Sequence, residues 1–132
     1  MNRTGNSRNL LWLQSGGCGG CTLSLLCAEG PDVITAFEAA GINLLWHPAL
    51  SVETGTEANA IIDSILADDI QLDILCLEGA VMTGPGGSGR YHMMAGRDLP
   101  MQEVIGQLAG KAEQVVAVGS CAAFGGITAA GG

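Results

Sequence analysis

Positive charge is scarce in this chain. Five lysines and arginines stand against thirteen acidic residues, a formal net charge of −8 over 132 residues. No basic stripe is present to neutralise phosphates, which excludes nucleic acid as a partner. The same balance opposes docking on an anionic membrane surface. Long apolar runs are missing too: nothing reaches the ~18 consecutive apolar residues of a membrane-spanning helix. The segment from Met1 to Asn9 is polar, lacks an apolar signal core and keeps Arg3 and Arg8 apart. It therefore carries no twin-arginine leader, and the chain reads as cytoplasmic. The cysteines number five, and an odd count without an export signal argues against a disulfide framework. Those thiols are available for metal or redox work. Charged residues amount to only 14% against 48% hydrophobic. That is too apolar for a disordered chain, and it implies that much of the surface is meant to be covered.

Glycine is what the chain has in excess, 21 residues against the usual ~7%. The glycines cluster at 16–20, 84–89, 125–126 and the C-terminus, which points to backbone brought close to something. Between the clusters, strand-like and helix-like segments alternate. Leu10–Gln14, Ile42–Trp46, Leu72–Leu77 and Val115–Val118 are short apolar runs that read as buried strands. Thr22–Ala28 and Asp32–Ala40 read as helical, the second closed by Gly41. Ala58, Ile61, Ile62, Ile65 and Leu66 recur at helical spacing with Asp63, Asp68 and Asp69 outward, and Thr56 is placed to cap them. A Gly-rich loop runs from Met82 to Leu99, and Pro100 opens a helix carrying Met101, Val104, Ile105 and Leu108. Alternation of this kind predicts parallel β-α-β units under helices on both faces. The expected fold is a single flavodoxin-like domain over 1–132, a doubly wound parallel α/β sheet in three layers.

On that layout the residues able to carry chemistry share one address. Cys18 and Cys21 follow the first strand, Glu78 follows the third and Cys121 follows the fourth. In a parallel sheet these positions lie at the carboxyl edge, where ligand crevices form at the topological switch point. Cys18-Gly19-Gly20-Cys21 is a Cys-x-x-Cys pair that can bind a metal or cluster, act as a redox dithiol, or be structural. Its glycines can aim N–H groups at cluster sulfurs, and the helix start favours thiolate. Cys121 lies among small residues in Gly119-Ser120-Cys121-Ala122-Ala123-Phe124-Gly125-Gly126. It reads either as a ligand with room for an inorganic group or as a small residue closing a turn. Cys27 and Cys76 read as core cysteines, leaving three thiols where a [4Fe–4S] cluster needs four.

Other features carry a bland reading beside a functional one. Glu78 reads as a polar group at a cluster mouth or as a solvated loop carboxylate. His47, before Pro48, reads as a hydrogen-bonded loop histidine, and His92 as part of a surface loop or a partner contact. Gly84–Arg90 imitates a phosphate loop but lacks its Gly-Lys-Ser/Thr ending.

Taken together, Leu11–Thr22, Trp46-His47-Pro48, Glu78-Gly79 and Val118–Gly126 resemble the small subunit of [NiFe] hydrogenases, in the order of that family's N-terminal domain. The resemblance implies a proximal [4Fe–4S] cluster with Cys18, Cys21 and Cys121 as three of its ligands. It places Glu78 beside that cluster, near the large-subunit interface. The family's fourth cysteine comes a few tens of residues further on, and its medial and distal clusters later still, so the chain reads as truncated before a C-terminal cluster domain. The related complex I subunit carries adjacent cysteines at the first site, whereas the spaced pair here favours the hydrogenase branch. The implied function is electron transfer from H2 oxidation at a nickel–iron centre in a partner large subunit. The Trp12–Thr22 run looks most like the cytosolic hydrogen-sensing type, whose further partner would be a histidine kinase or another redox protein. The rival functions are a thiol–disulfide oxidoreductase using Cys18 and Cys21, and a non-catalytic zinc-binding module.

Overall fold

The computed structural model describes residues 6–130. Four parallel strands form its centre: β1 (Arg8–Gln14), β2 (Ile42–Trp46), β3 (Ile74–Glu78) and β4 (Gln114–Val118). Helices α1 (Gly20–Leu26) and α2 (Val33–Ala39) join β1 to β2. Helix α3 (Thr56–Leu66) joins β2 to β3, and α4 (Met101–Lys111) joins β3 to β4. A six-residue helix α5 (Gly119–Phe124) and a 3-10 turn (Gly126–Ala129) follow β4. The strand order is β2-β1-β3-β4. The chain therefore winds one way from β1 to β2 and the other way to β3, with the reversal between β1 and β3. This is the flavodoxin-like α/β arrangement, and its ligand crevice belongs at that reversal.

The alternation of side chains along the central strands separates two apolar layers. Leu11, Leu13, Leu75 and Leu77 face α3 and α4, where Ile62, Ile65, Val104 and Leu108 close the main core. These helix residues recur three and four apart, so each helix buries one stripe. Leu10, Trp12 and Cys76 point to the opposite face and meet Leu25 of α1.

Several expectations change. Among the described residues both faces of β1 and β3 are covered, while Val115 and Val116 of β4 are 50% and 43% exposed. β4 is the outer strand of the sheet, with no further strand beside it among the described residues. Cys27 is exposed, contrary to its assignment to the core. It is the C-cap of α1, so its backbone closes the last turn while the side chain lies beyond the packed stripe. The N-cap of α3 is Gly55 and Thr56 is its first helical residue, while Pro100 is the N-cap of α4. Asp32, read as the first residue of the second helix, is instead the N-cap of α2 and accepts the Thr35 N–H at 3.0 Å. The residues after β4 are helical from Gly119 onward, so Cys121 sits inside a helix and not at a strand end.

The loop between β3 and α4 is fastened at three places. Gly16 and Ala80 exchange backbone hydrogen bonds of 2.8 Å, and the Met101 N–H donates to His92 O at 2.7 Å. Arg97 donates to Asn59 Oδ1 at 2.7 Å and to Asp63 Oδ1 at 2.6 Å, pinning the loop to α3. Gly84–Arg90 lies in mid-loop, away from any strand-to-helix turn, so the phosphate-loop geometry is absent there.

Candidate functional site

Strand register assembles the site. Gln14 pairs with Glu78, and Glu78 with Val118, so the carboxyl ends of β1, β3 and β4 finish level. Neighbouring strands lie about 4.8 Å apart, so loops leaving these ends start within about 10 Å of one another. Cys18 and Cys21 leave β1 on one side, and Cys121 leaves β4 on the other. The structure brings all three together with Glu78: Gly17, Cys18, Cys21, Glu78, Gly79 and Cys121 line one small cavity. A roomier pocket of about 270 Å³, bordered by Cys18, Cys121, Gly16, Gly17 and Ile127, shares that wall.

Two glycines make the approach of the cysteine loops possible. Gly119 has φ +82°, a left-handed conformation, and a Cβ there would overlap the Cys21 sulfur. Gly126 has φ +61°, and a Cβ there would stand 3.0 Å from Cys121 Sγ. The space around both sulfurs thus depends on residues without side chains. Gly20 N–H also donates to Cys18 Sγ at 3.3 Å, the donor geometry that stabilises a more negative sulfur.

Glu78 is neither in a loop nor solvated; it is the last residue of β3 and 3% exposed. Its Oε1 accepts from Trp12 Nε1 at 3.2 Å and from the Thr22 hydroxyl at very short range. Burial pushes its pKa up, but hydrogen bonds from Thr22, Trp12 and Gln14 outweigh burial and hold it below the usual carboxylate range. Oε2 is buried and has no partner. An oxygen left unpaired in this way costs about 1–3 kcal/mol. His47 lies beneath, fully buried, with its ring centroid 4.8 Å from that of Trp12. Burial lowers its pKa even though the Glu78 charge pulls the other way.

Among the described residues, no three His, Cys, Asp or Glu converge closely enough to hold a single metal ion. A tetrahedral zinc with ~2.3 Å bonds needs sulfurs only about 4 Å apart. A cubane takes each thiolate on a different iron, so its ligands stand wider. Three cysteines around one glycine-lined cavity fit the second demand better than the first. The two other cysteines do not line the cavity. Cys76 is buried in the core as expected, and that burial drives its thiol up to about 11. Trp12, Gln14 and Thr22 lie within the Trp12–Thr22 run, yet no motif marks them as holders of Glu78. Their alternation along β1 and their place on α1 were the available signal. His92 turns inward enough for its Nδ1 to lie 3.5 Å from Ser15 Oγ, at the entry to the cysteine loop.

Fold and cleft define a class: a doubly wound α/β domain whose cysteines crowd the carboxyl edge beside the strand-order reversal. The chain belongs to the family described as NADH ubiquinone oxidoreductase, 20 Kd subunit, which it matches over residues 18–132. It is 35% identical to the small subunit of F420 non-reducing hydrogenase II of Methanosarcina mazei, over 92% of this chain and 33% of that one. It is 34% identical to the periplasmic [NiFeSe] hydrogenase small subunit of Desulfomicrobium baculatum, over 93% of this chain and 41% of that one. The solved structure of the reduced, active Ni-Fe-Se hydrogenase of Desulfomicrobium baculatum superposes with a TM-score of 0.81. That match has 35% identity and covers 96% of this chain and 47% of that one. The chain thus spans between a third and a half of the length of these relatives.

Proposed function

We propose that this domain is the electron-transfer module of a [NiFe]-type hydrogenase small subunit, acting with a large subunit that holds the nickel–iron centre. The observation that carries this reading is the convergence of Cys18, Cys21 and Cys121 on one cavity, three thiols contributed by two strand ends. They would hold a proximal [4Fe–4S] cluster, with the fourth ligand supplied from outside the described residues, since neither Cys27 nor Cys76 lines the cavity. When bound, the cluster supplies one-electron redox chemistry. The chain's own contributions are thiolate ligation, the Gly20 N–H on the Cys18 sulfur, and the glycine-made space around the Cys21 and Cys121 sulfurs. Glu78 adds a fixed negative charge at the cavity wall. Among the described residues, no helix is long and apolar enough to cross a membrane.

The test is co-expression of the full-length protein with its large subunit, anaerobic purification, and measurement of H2-dependent dye reduction with iron and acid-labile sulfide. The reading predicts H2-dependent reduction that Cys18→Ser abolishes, together with loss of about four irons. Zinc in place of iron, or a dithiol that titrates with no metal bound, would replace this reading with one of its rivals.

A further inference from the structure

A buried chain of hydrogen bonds runs under the cysteine loop, and it has a single direction. It begins at His47, which is fully buried against Trp12. The Ala49 N–H donates to His47 Nδ1 at 3.0 Å. Nδ1 therefore bears no proton, and the neutral ring carries its proton on Nε2. Nε2 lies 3.4 Å from Thr22 Oγ1. The same hydroxyl oxygen accepts Gln14 Nε2 at 3.2 Å. With both lone pairs of Thr22 occupied, its own proton has one direction left, toward Glu78 Oε1. Trp12 Nε1 donates to that same oxygen. Trp12 Nε1 and the Thr22 hydroxyl thus both meet Oε1, while Oε2 stays buried, unpartnered and part of a residue lining the cysteine cavity.

We propose that His47 is a positioning residue of the electron-transfer site: acting through Thr22, it locks the Glu78 carboxylate so that Oε2 is presented to the group held by Cys18, Cys21 and Cys121. The proposal rests on the cluster reading above and extends it to a side chain that lines neither cysteine pocket. A histidine kept only for packing would need neither a fixed tautomer nor a one-way relay ending on a carboxylate. The physical consequence is electrostatic. A buried anion held at one orientation beside the cavity exerts a fixed field on the cluster, favouring its more oxidised state. Releasing the carboxylate weakens that field and raises the midpoint potential.

Two measurements on the purified full-length protein test this. The first is the ¹⁵N NMR signature of the His47 ring, expected to show Nε2 protonated and Nδ1 accepting, with the Nε2–H signal moving in Thr22→Val. The opposite tautomer, or a signal indifferent to Thr22→Val, would overturn the relay. The second is an EPR-monitored redox titration of wild type, His47→Phe, Glu78→Gln and the double variant. His47→Phe should shift the potential upward, toward that of Glu78→Gln, and cause no further shift in the Glu78→Gln background. His47→Gln, whose amide can donate to the same hydroxyl, should restore the wild-type value. Equal shifts in both backgrounds, with iron bound, would overturn the positioning role alone. A protein that binds no iron would overturn the cluster reading and this proposal with it.

Discussion

β3 and β4 are neighbours of the same length and similar apolar character, yet they are opposite kinds of strand. β3 is covered on both faces, with Leu75 fully buried and Glu78 almost so. β4 pairs with it in register but carries half-exposed valines, and α5 after it contains no buried residue. The two halves of the site inherit that difference. Cys18, Cys21 and Glu78 rest on the packed β1–β3 centre and its polar network. Cys121 rests on an outer strand and a short exposed helix. The lesson is that the core positions one wall of the cavity, while the other wall depends on close glycine contacts and on whatever the cavity holds.

The strongest way to break this comparison is to remove a ligand from the rigid wall. Cys21→Ser should cost the purified protein about four irons and the associated EPR signal, while Cys76→Ala should leave the iron content unchanged. Next comes packing. Leu75→Ala should destabilise the fold by about 2–5 kcal/mol in urea denaturation. A smaller effect is expected at the seam between the walls. Gly119→Ala forces a side chain into a left-handed position against the Cys21 sulfur, and should cost more than about 1 kcal/mol together with part of the iron.

A pH effect should follow from His47. Its folded pKa lies below the ordinary 6.5, so below that value the unfolded chain takes up a proton that the native ring refuses. Stability should therefore fall as pH drops from about 6.5 toward the folded pKa. His47→Gln should flatten that limb of a plot of Tm against pH. The smallest effect is expected in the 132-residue chain at half-exposed Val115, where Val115→Ala should change stability by less than about 0.5 kcal/mol. A large loss in that chain would mean that Val115 is packed and that the contrast with β3 is false.

Much of this arrangement is legible in the sequence for identifiable reasons. Short apolar runs separated by helical periodicity define strands and helices, and parallel winding then forces their carboxyl ends to one edge. That reasoning alone places Cys18, Cys21, Glu78 and Cys121 together. The place of β4 at the edge of the four described strands was not legible, because Val115–Val118 is as apolar as a central strand and composition does not encode order in a sheet. The exposure of Cys27 escaped because it depends on where a seven-residue helix stops, and residue type does not set that. Burial of Glu78 escaped for another reason: a carboxylate beside a glycine reads as a loop until its donors are seen. Those donors, Trp12 and Thr22, come from two elements distant from Glu78 in the chain, so no local pattern announces them.

The account turns on Cys121 joining the other two thiols from the far side of the cavity. Its most direct test is the iron content and Mössbauer spectrum of the anaerobically purified full-length protein carrying Cys121→Ser. The account predicts loss of about four irons per chain relative to wild type, with the fold retained by circular dichroism. A variant that keeps the wild-type iron count and an unchanged spectrum would contradict it.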